Sequence, residues 1–122
     1  MITNLEDLKI YQIAMEIGEE VWEVVSKWDY FKKSTIGNQW IRAADSIASN
    51  ISEGYGRYSF KENKLFCYYA RGSLFETKTW LIKSHNRSLI STNFFKTMEN
   101  KLKILEIKLN NYIKSIGKGS QK

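Results

Sequence analysis

Proline is absent from this 122-residue sequence, and cysteine and histidine occur once each. All-β and loop-rich folds usually rely on proline for turns and edges, so a chain without it is expected to consist of long helices. A single thiol, Cys67, excludes a disulfide scaffold and suits a reducing compartment, so a cytoplasmic location is expected. One histidine and one cysteine cannot assemble a zinc site, and the paired Glu-x-x-His motifs of di-iron bundles are missing, so no metal and no cofactor is expected. His85 falls at a predicted helix end, where capping carbonyls suits it better than moving protons. No apolar run approaches the roughly 18 to 20 residues of a membrane span, and Met1-Ile2-Thr3-Asn4 opens no signal peptide, so neither a membrane partner nor a leader is expected.

What is present is a globular composition of 43% apolar, 14% aromatic and 26% charged residues. That content excludes disorder and fits one domain, 1–122, with a core that needs no staples. The net charge is +6, unevenly placed. Residues 1–29 hold two basic and seven acidic residues, a net −5, and the remainder holds seventeen basic and six acidic, a net +11. A basic body with one acidic helix points to a polyanionic partner or to acid-to-base contact between subunits, with a merely solubilising lysine surface as the plain alternative.

Four amphipathic segments predict four helices, at about 5–28, 35–53, 60–85 and 92–116, followed by a frayed tail at 117–122. The first opens with a capping box, Thr3-Asn4-Leu5-Glu6, and its apolar arc spans roughly 200°, wider than one core requires. The second takes Ser34 or Thr35 as its cap, carries small residues between Ile36, Trp40, Ala44, Ile47 and Ile51, and is expected to end on left-handed Gly54 and Gly56. The third opens with Ser59-Phe60-Lys61-Glu62 and is apolar in nearly every direction, which predicts burial all round. The fourth has a heptad seam, Met98, Leu102, Leu105, Leu109, Tyr112 and Ile116, beneath a lysine-rich outer face. The fold class is therefore all-α, an antiparallel up-down-up-down four-helix bundle. The wide apolar arcs of helices one and three predict a self-associating subunit, since soluble monomers rarely tolerate large apolar patches.

Residues suited to enzyme chemistry are scarce. Cys67 lies among aromatics in mid-helix and reads as a small core residue. Gly54-Tyr55-Gly56-Arg57 imitates the start of a dinucleotide fingerprint, but it follows a helix instead of a strand and Ser59 replaces the third glycine. The basic residues remain. Arg57, Lys61 and Lys64 around the second turn form one candidate phosphate-binding patch, and Lys101, Lys103 and Lys108 on the fourth helix form another. Lys32 and Lys33, and Lys83 and Arg87, mark the other turns.

The run Ile41-Arg42-Ala43-Ala44-Asp45-Ser46-Ile47-Ala48-Ser49-Asn50-Ile51-Ser52-Glu53-Gly54-Tyr55-Gly56-Arg57 closely resembles the bacterial 23S rRNA-intervening-sequence proteins, whose pattern is approximately Q-I-R-R-A-A-x-S-I-P-A-N-I-A-E-G-x-G-R. The opening Leu5 to Met15 is similar to the family's D-L-x-V-W-Q-x-A-M start, and Gly72-Ser73-Leu74-Phe75-Glu76 to its G-S-L-x-E segment. Two family prolines are replaced, by Ala48 and at Trp28-Asp29, which favours longer, straighter helices. The resemblance implies an antiparallel four-helix bundle assembling as a homopentamer. It also implies kinship with the accessory proteins of diversity-generating retroelements, which are basic barrels that bind nucleic acid and partner a reverse transcriptase. Within the motif, Asn50, Glu53, Gly54, Gly56 and Arg57 are expected to serve as caps and polar ties of a turn, because helix boundaries leave orphan backbone groups. The expected function is a non-enzymatic, homo-oligomeric basic scaffold that binds structured nucleic acid, RNA favoured. The alternative is a protein-interaction subunit whose main partner is a reverse transcriptase.

Overall fold

The computed structural model describes residues 4–118. Thr3 of the first capping box and residues 119–122 of the predicted tail lie outside the described residues. A 3-10 turn, Leu5–Asp7, leads into the first helix, Lys9–Val25. The second helix starts at Tyr30–Lys32, widens into a π-helical stretch at Lys33–Gly37 and continues as Asn38–Tyr55. The third is Phe60–Asn86 and the fourth Thr92–Ser115. No strand occurs among the described residues, and no described helix is long and apolar enough to cross a membrane.

The first helix packs on the second and fourth, and the third packs on the second and fourth, which gives a four-helix bundle. Pairs that are far apart in sequence fix the directions. Trp28 stacks on Trp40 at 5.9 Å beside the first connection, while Asn63 donates to Tyr112 Oη at 3.4 Å and His85 stacks on Phe95 at 4.4 Å, so the third and fourth helices run antiparallel. The core holds Ile17, Val21, Trp40, Ile47, Ile51, Leu74, Leu81, Met98, Leu102, Leu105 and Leu109, each fully buried. Each buried aliphatic side chain is worth about 1.5–3 kcal/mol of transfer free energy. The fourth-helix seam follows the heptad prediction at Met98, Leu102, Leu105, Leu109 and Ile116, all buried, while Tyr112 is only half-buried and Ile113 is buried beside it. A straight helix of 3.6 residues per turn drifts about 20° per heptad, which leaves room for Ile113 to share the inner face with Ile116.

Several local expectations need correction. Leu8 has extended backbone angles, which separates the 3-10 turn from the first helix, and that helix ends at Val25 instead of Trp28. The second helix is capped by Asp29, whose carboxylate accepts from the Lys32 amide at 3.1 Å. That hydrogen bond is the main cause holding the Asp29 carboxyl below the usual range. Ser34 and Thr35 are not caps. Both hydroxyls donate back to the Phe31 carbonyl, at 3.2 and 2.7 Å, beside the π-helical stretch they help to form. Gly54 is helical and buried and Gly56 has φ −79°, so neither is left-handed. His85 caps no carbonyl of its own helix, and its Nε2 lies 3.2 Å from the Thr92 hydroxyl. The third helix is not buried all round within one chain. Asn63, Cys67, Ala70, Leu74, Thr77, Leu81 and Ser84 face inward, while Leu65, Tyr68, Tyr69, Phe75 and Ile82 are exposed.

Candidate nucleic-acid interface

The turn after the second helix is held by its own charges. Arg57 donates to Glu53 at 2.8 Å and to Glu62 at 3.4 Å, and its guanidinium lies 4.7 Å from the Phe66 ring centre. Ser59 caps the third helix by accepting from the Glu62 amide at 3.1 Å. Glu53 and Arg57 are therefore ties of the turn. Asn50 is not, because its amide donates to Ser46 O of its own helix at 2.9 Å. Lys61 and Lys64 line a groove with Leu65 and Tyr68, whereas Arg57 is turned to Phe66, so this triplet is not one patch.

The fourth-helix triplet divides in the same way. Lys101 reaches across to the first helix and donates to Glu16 at 3.2 Å and to Glu20. The hydrogen bond that Lys101 donates to Glu20, followed by that to Glu16, raises the Lys101 pKa against the opposing effect of burial. Lys108 is seven residues on and shares that side, while Lys103 lies about 140° away from Lys108 at 100° per residue. While Glu16 and Glu20 are ionised, the ion pairs of Lys101 stabilise the folded state fully below the unfolded lysine pKa, and that stabilisation is lost as pH rises through the raised folded value. Replacing Lys101 by Met is expected to lower stability by about 1 kcal/mol at pH 7, with the difference from wild type shrinking above pH 10. Urea denaturation at the two pH values checks this.

The structure gathers a different set of cations. Lys64, Arg71 and Lys78 recur every seven residues on the third helix and so share one flank. Lys96, Lys103 and Asn110 recur in the same way on the fourth. Arg71 Nη1 donates to Asn110 Oδ1 at 2.9 Å, which sets the two rows against each other across the seam of helices three and four. Arg71 also lies over the Tyr68 ring, 5.0 Å from its centre, so its guanidinium is fixed in orientation. Lys64 and Lys78 are half-buried, and Lys96 and Lys103 are exposed. Five cations with Glu99 and Glu106 among them give a strip of net +3. Successive charges in a row are about 10 Å apart along the helix, and packed helix axes lie about 8–10 Å apart. Those spacings are comparable to the Debye length of about 8 Å at physiological salt, so neighbouring charges reinforce one another. Of the residues predicted from sequence, Lys64 and Lys103 belong to this strip. Arg71, Lys78 and Lys96 were missed, although their seven-residue spacing was there to find.

The sequence model of the 23S rRNA-intervening sequence proteins matches residues 6–111, nearly the whole bundle. The chain belongs to that family. A crystal structure of a protein of unknown function from the S23 ribosomal protein family of Bacteroides thetaiotaomicron superposes with a TM-score of 0.79. The alignment covers 89% of this chain and 98% of that one at 18% identity, so the likeness is one of fold. No curated protein matches. Cys67, fully buried, donates to Asn63 Oδ1 at 3.7 Å, and burial pushes its thiol up to about 12, far from the range of a reactive thiolate.

Proposed function

We propose that this member of the 23S rRNA-intervening sequence family is a non-enzymatic, homo-oligomeric basic scaffold that binds structured nucleic acid along the seam of helices three and four. The double row of cations is the observation that carries the reading. Paired rows separated by about a helix diameter suit a backbone of regularly spaced phosphates, and no base-reading geometry is needed. RNA is favoured because the family is described by an intervening sequence of ribosomal RNA. A ring of five, as the family resemblance implies, would carry five times +6, or +30, and would repeat each weak phosphate contact around its symmetry axis. No observation on the fold favours a reverse transcriptase as partner.

The test is charge reversal of the strip, in K64E/K78E/K96E/K103E, against a control with four reversals elsewhere, in K9E/K27E/K32E/K33E. At about 0.1 M salt the strip variant is expected to lose structured-RNA binding by 100-fold or more and the control by under tenfold. The slope of log K against log salt should flatten by roughly 0.9 for each phosphate contact removed. Equal losses in the two variants, or a wild type that retains no nucleic acid at low salt, would overturn the proposal.

A further inference from the structure

The exposed side of the third helix carries a second heptad pattern. Leu65, Tyr68, Gly72, Phe75, Thr79 and Ile82 step by 3-4-3-4-3, and the four large apolar residues among them are 39–46% exposed. This is the spacing of a helix-packing seam, on a face that stays exposed among the described residues. Gly72, at its centre, is unexplained within one subunit. A Cβ there would meet no atom within 4 Å, and its φ is not positive. Glycine in a helix interior loses backbone entropy and is destabilising relative to alanine. A glycine that serves neither conformation nor packing inside the chain is accounted for by a close approach from outside it.

A complementary surface lies on the opposite side of the bundle. A groove of about 420 Å³ between the first and second helices is floored by Ala14, Gly18, Ala48 and Ser49, with Glu19 and Asp45 on its wall. The small floor leaves room for aromatic side chains. Asp45 lies against Gly18, where a Cβ would be 2.8 Å from its Oδ1. Burial, and then the neighbouring charge of Glu19, raises the Asp45 pKa, and neither carboxylate has an ion-pair partner among the described residues. The first helix, Lys9–Val25, has a net charge of −3 and the third, Phe60–Asn86, a net +3. Stacking two third-helix seams on each other would press like-charged helices together, whereas seating one on the groove pairs opposite charges.

We propose that the Gly72-centred seam of one copy docks into the acidic groove between helices one and two of a second copy, in a head-to-tail contact. Such a contact uses two different faces, so each subunit can engage two neighbours, and the contacts close into a ring when the rotation between copies is a whole fraction of a turn. The proposal rests on the homo-oligomeric reading above and assigns the surfaces that build it.

Sedimentation velocity without nucleic acid tests it with two variants. G72L alters the seam only, and its side chain enters open space with a better helix former, so circular dichroism should show an intact and no less stable fold. E19R/D45R fills and reverses the groove. Each variant alone is expected to be a monomer, with the contact weakened at least 100-fold. An equimolar mixture is expected to form a 1:1 dimer and stop there, because one intact seam meets one intact groove. G72L that stays assembled, E19R/D45R that stays assembled while G72L dissociates, or a mixture that stays monomeric overturns the docking assignment and leaves the ring standing. A monomeric wild type overturns the ring and the contact together.

Discussion

Replacement of Gly54 by valine is expected to cost about 4 kcal/mol, a large part of the 5–15 kcal/mol typical of a domain. A Cβ at this position would lie 2.8 Å from Asn63 Oδ1, 3.0 Å from Asn63 O and 3.0 Å from Phe66 Cβ. Two of those atoms are a backbone oxygen and a Cβ of the third helix, which cannot swing aside, so the second and third helices would have to separate. Overpacking of this kind costs about 1–3 kcal/mol by itself. Displacing Asn63 adds more, because this fully buried amide holds Tyr112 Oη and accepts from Cys67, and stranding a buried polar group costs about 1–3 kcal/mol. Gly56, two residues on, supplies the control. Its nearest neighbours would be 3.6 and 3.7 Å from a Cβ and its φ is −79°, so alanine there should be neutral or slightly stabilising. Urea midpoints decide the matter, and a Gly54→Val midpoint equal to that of wild type would show that the helices can part without cost.

The contrast between these glycines also marks where sequence reasoning stopped. A Gly-x-Gly pair after a periodic run signals a helix end, and the helix does end there, at Tyr55. The pattern cannot show that the first glycine is set by the partner helix and the second by neither packing nor a left-handed turn. The same distinction runs through the rest of the molecule. Four helices, the cap Ser59 and the fourth-helix core were legible, because each is written in local spacing. The start of the second helix was not, because Asp29, Ser34 and Thr35 are all acceptable caps and only the carboxylate meets the Lys32 amide. The candidate patches were grouped by nearness in sequence, whereas charges on helices are grouped by turn. Lys101 and Lys103 are neighbours in sequence, yet a rotation of about 200° over two residues sends Lys101 to the acids of the first helix. Arg71 and Asn110 are 39 residues apart, and no spacing within either helix announces that they meet.

Truncation of Trp40 to alanine is expected to have the other large effect, a loss of about 3–5 kcal/mol. Its indole is fully buried, stacked on Trp28 at 5.9 Å and edge-on to Phe94 at 6.4 Å, so it joins the turn after the first helix to the start of the fourth. Alanine would remove both aromatic contacts and leave a cavity that three helices border. Phenylalanine should behave quite differently. The Trp40 Nε1–H is buried with no hydrogen-bond partner among the described residues, so the wild-type ring already bears a desolvation cost of about 1–3 kcal/mol. Phenylalanine gives up some packing volume but removes that orphan donor, and the two effects oppose each other at similar size. The expected order of stability is therefore wild type and Trp40→Phe within about 1 kcal/mol, with Trp40→Ala far below. Chemical denaturation followed by far-ultraviolet circular dichroism measures all three without relying on tryptophan fluorescence, which the substitutions themselves alter. A Trp40→Phe variant as unstable as Trp40→Ala would show that the indole N–H has a partner in solution and that the ring's volume alone does not explain its place in the core.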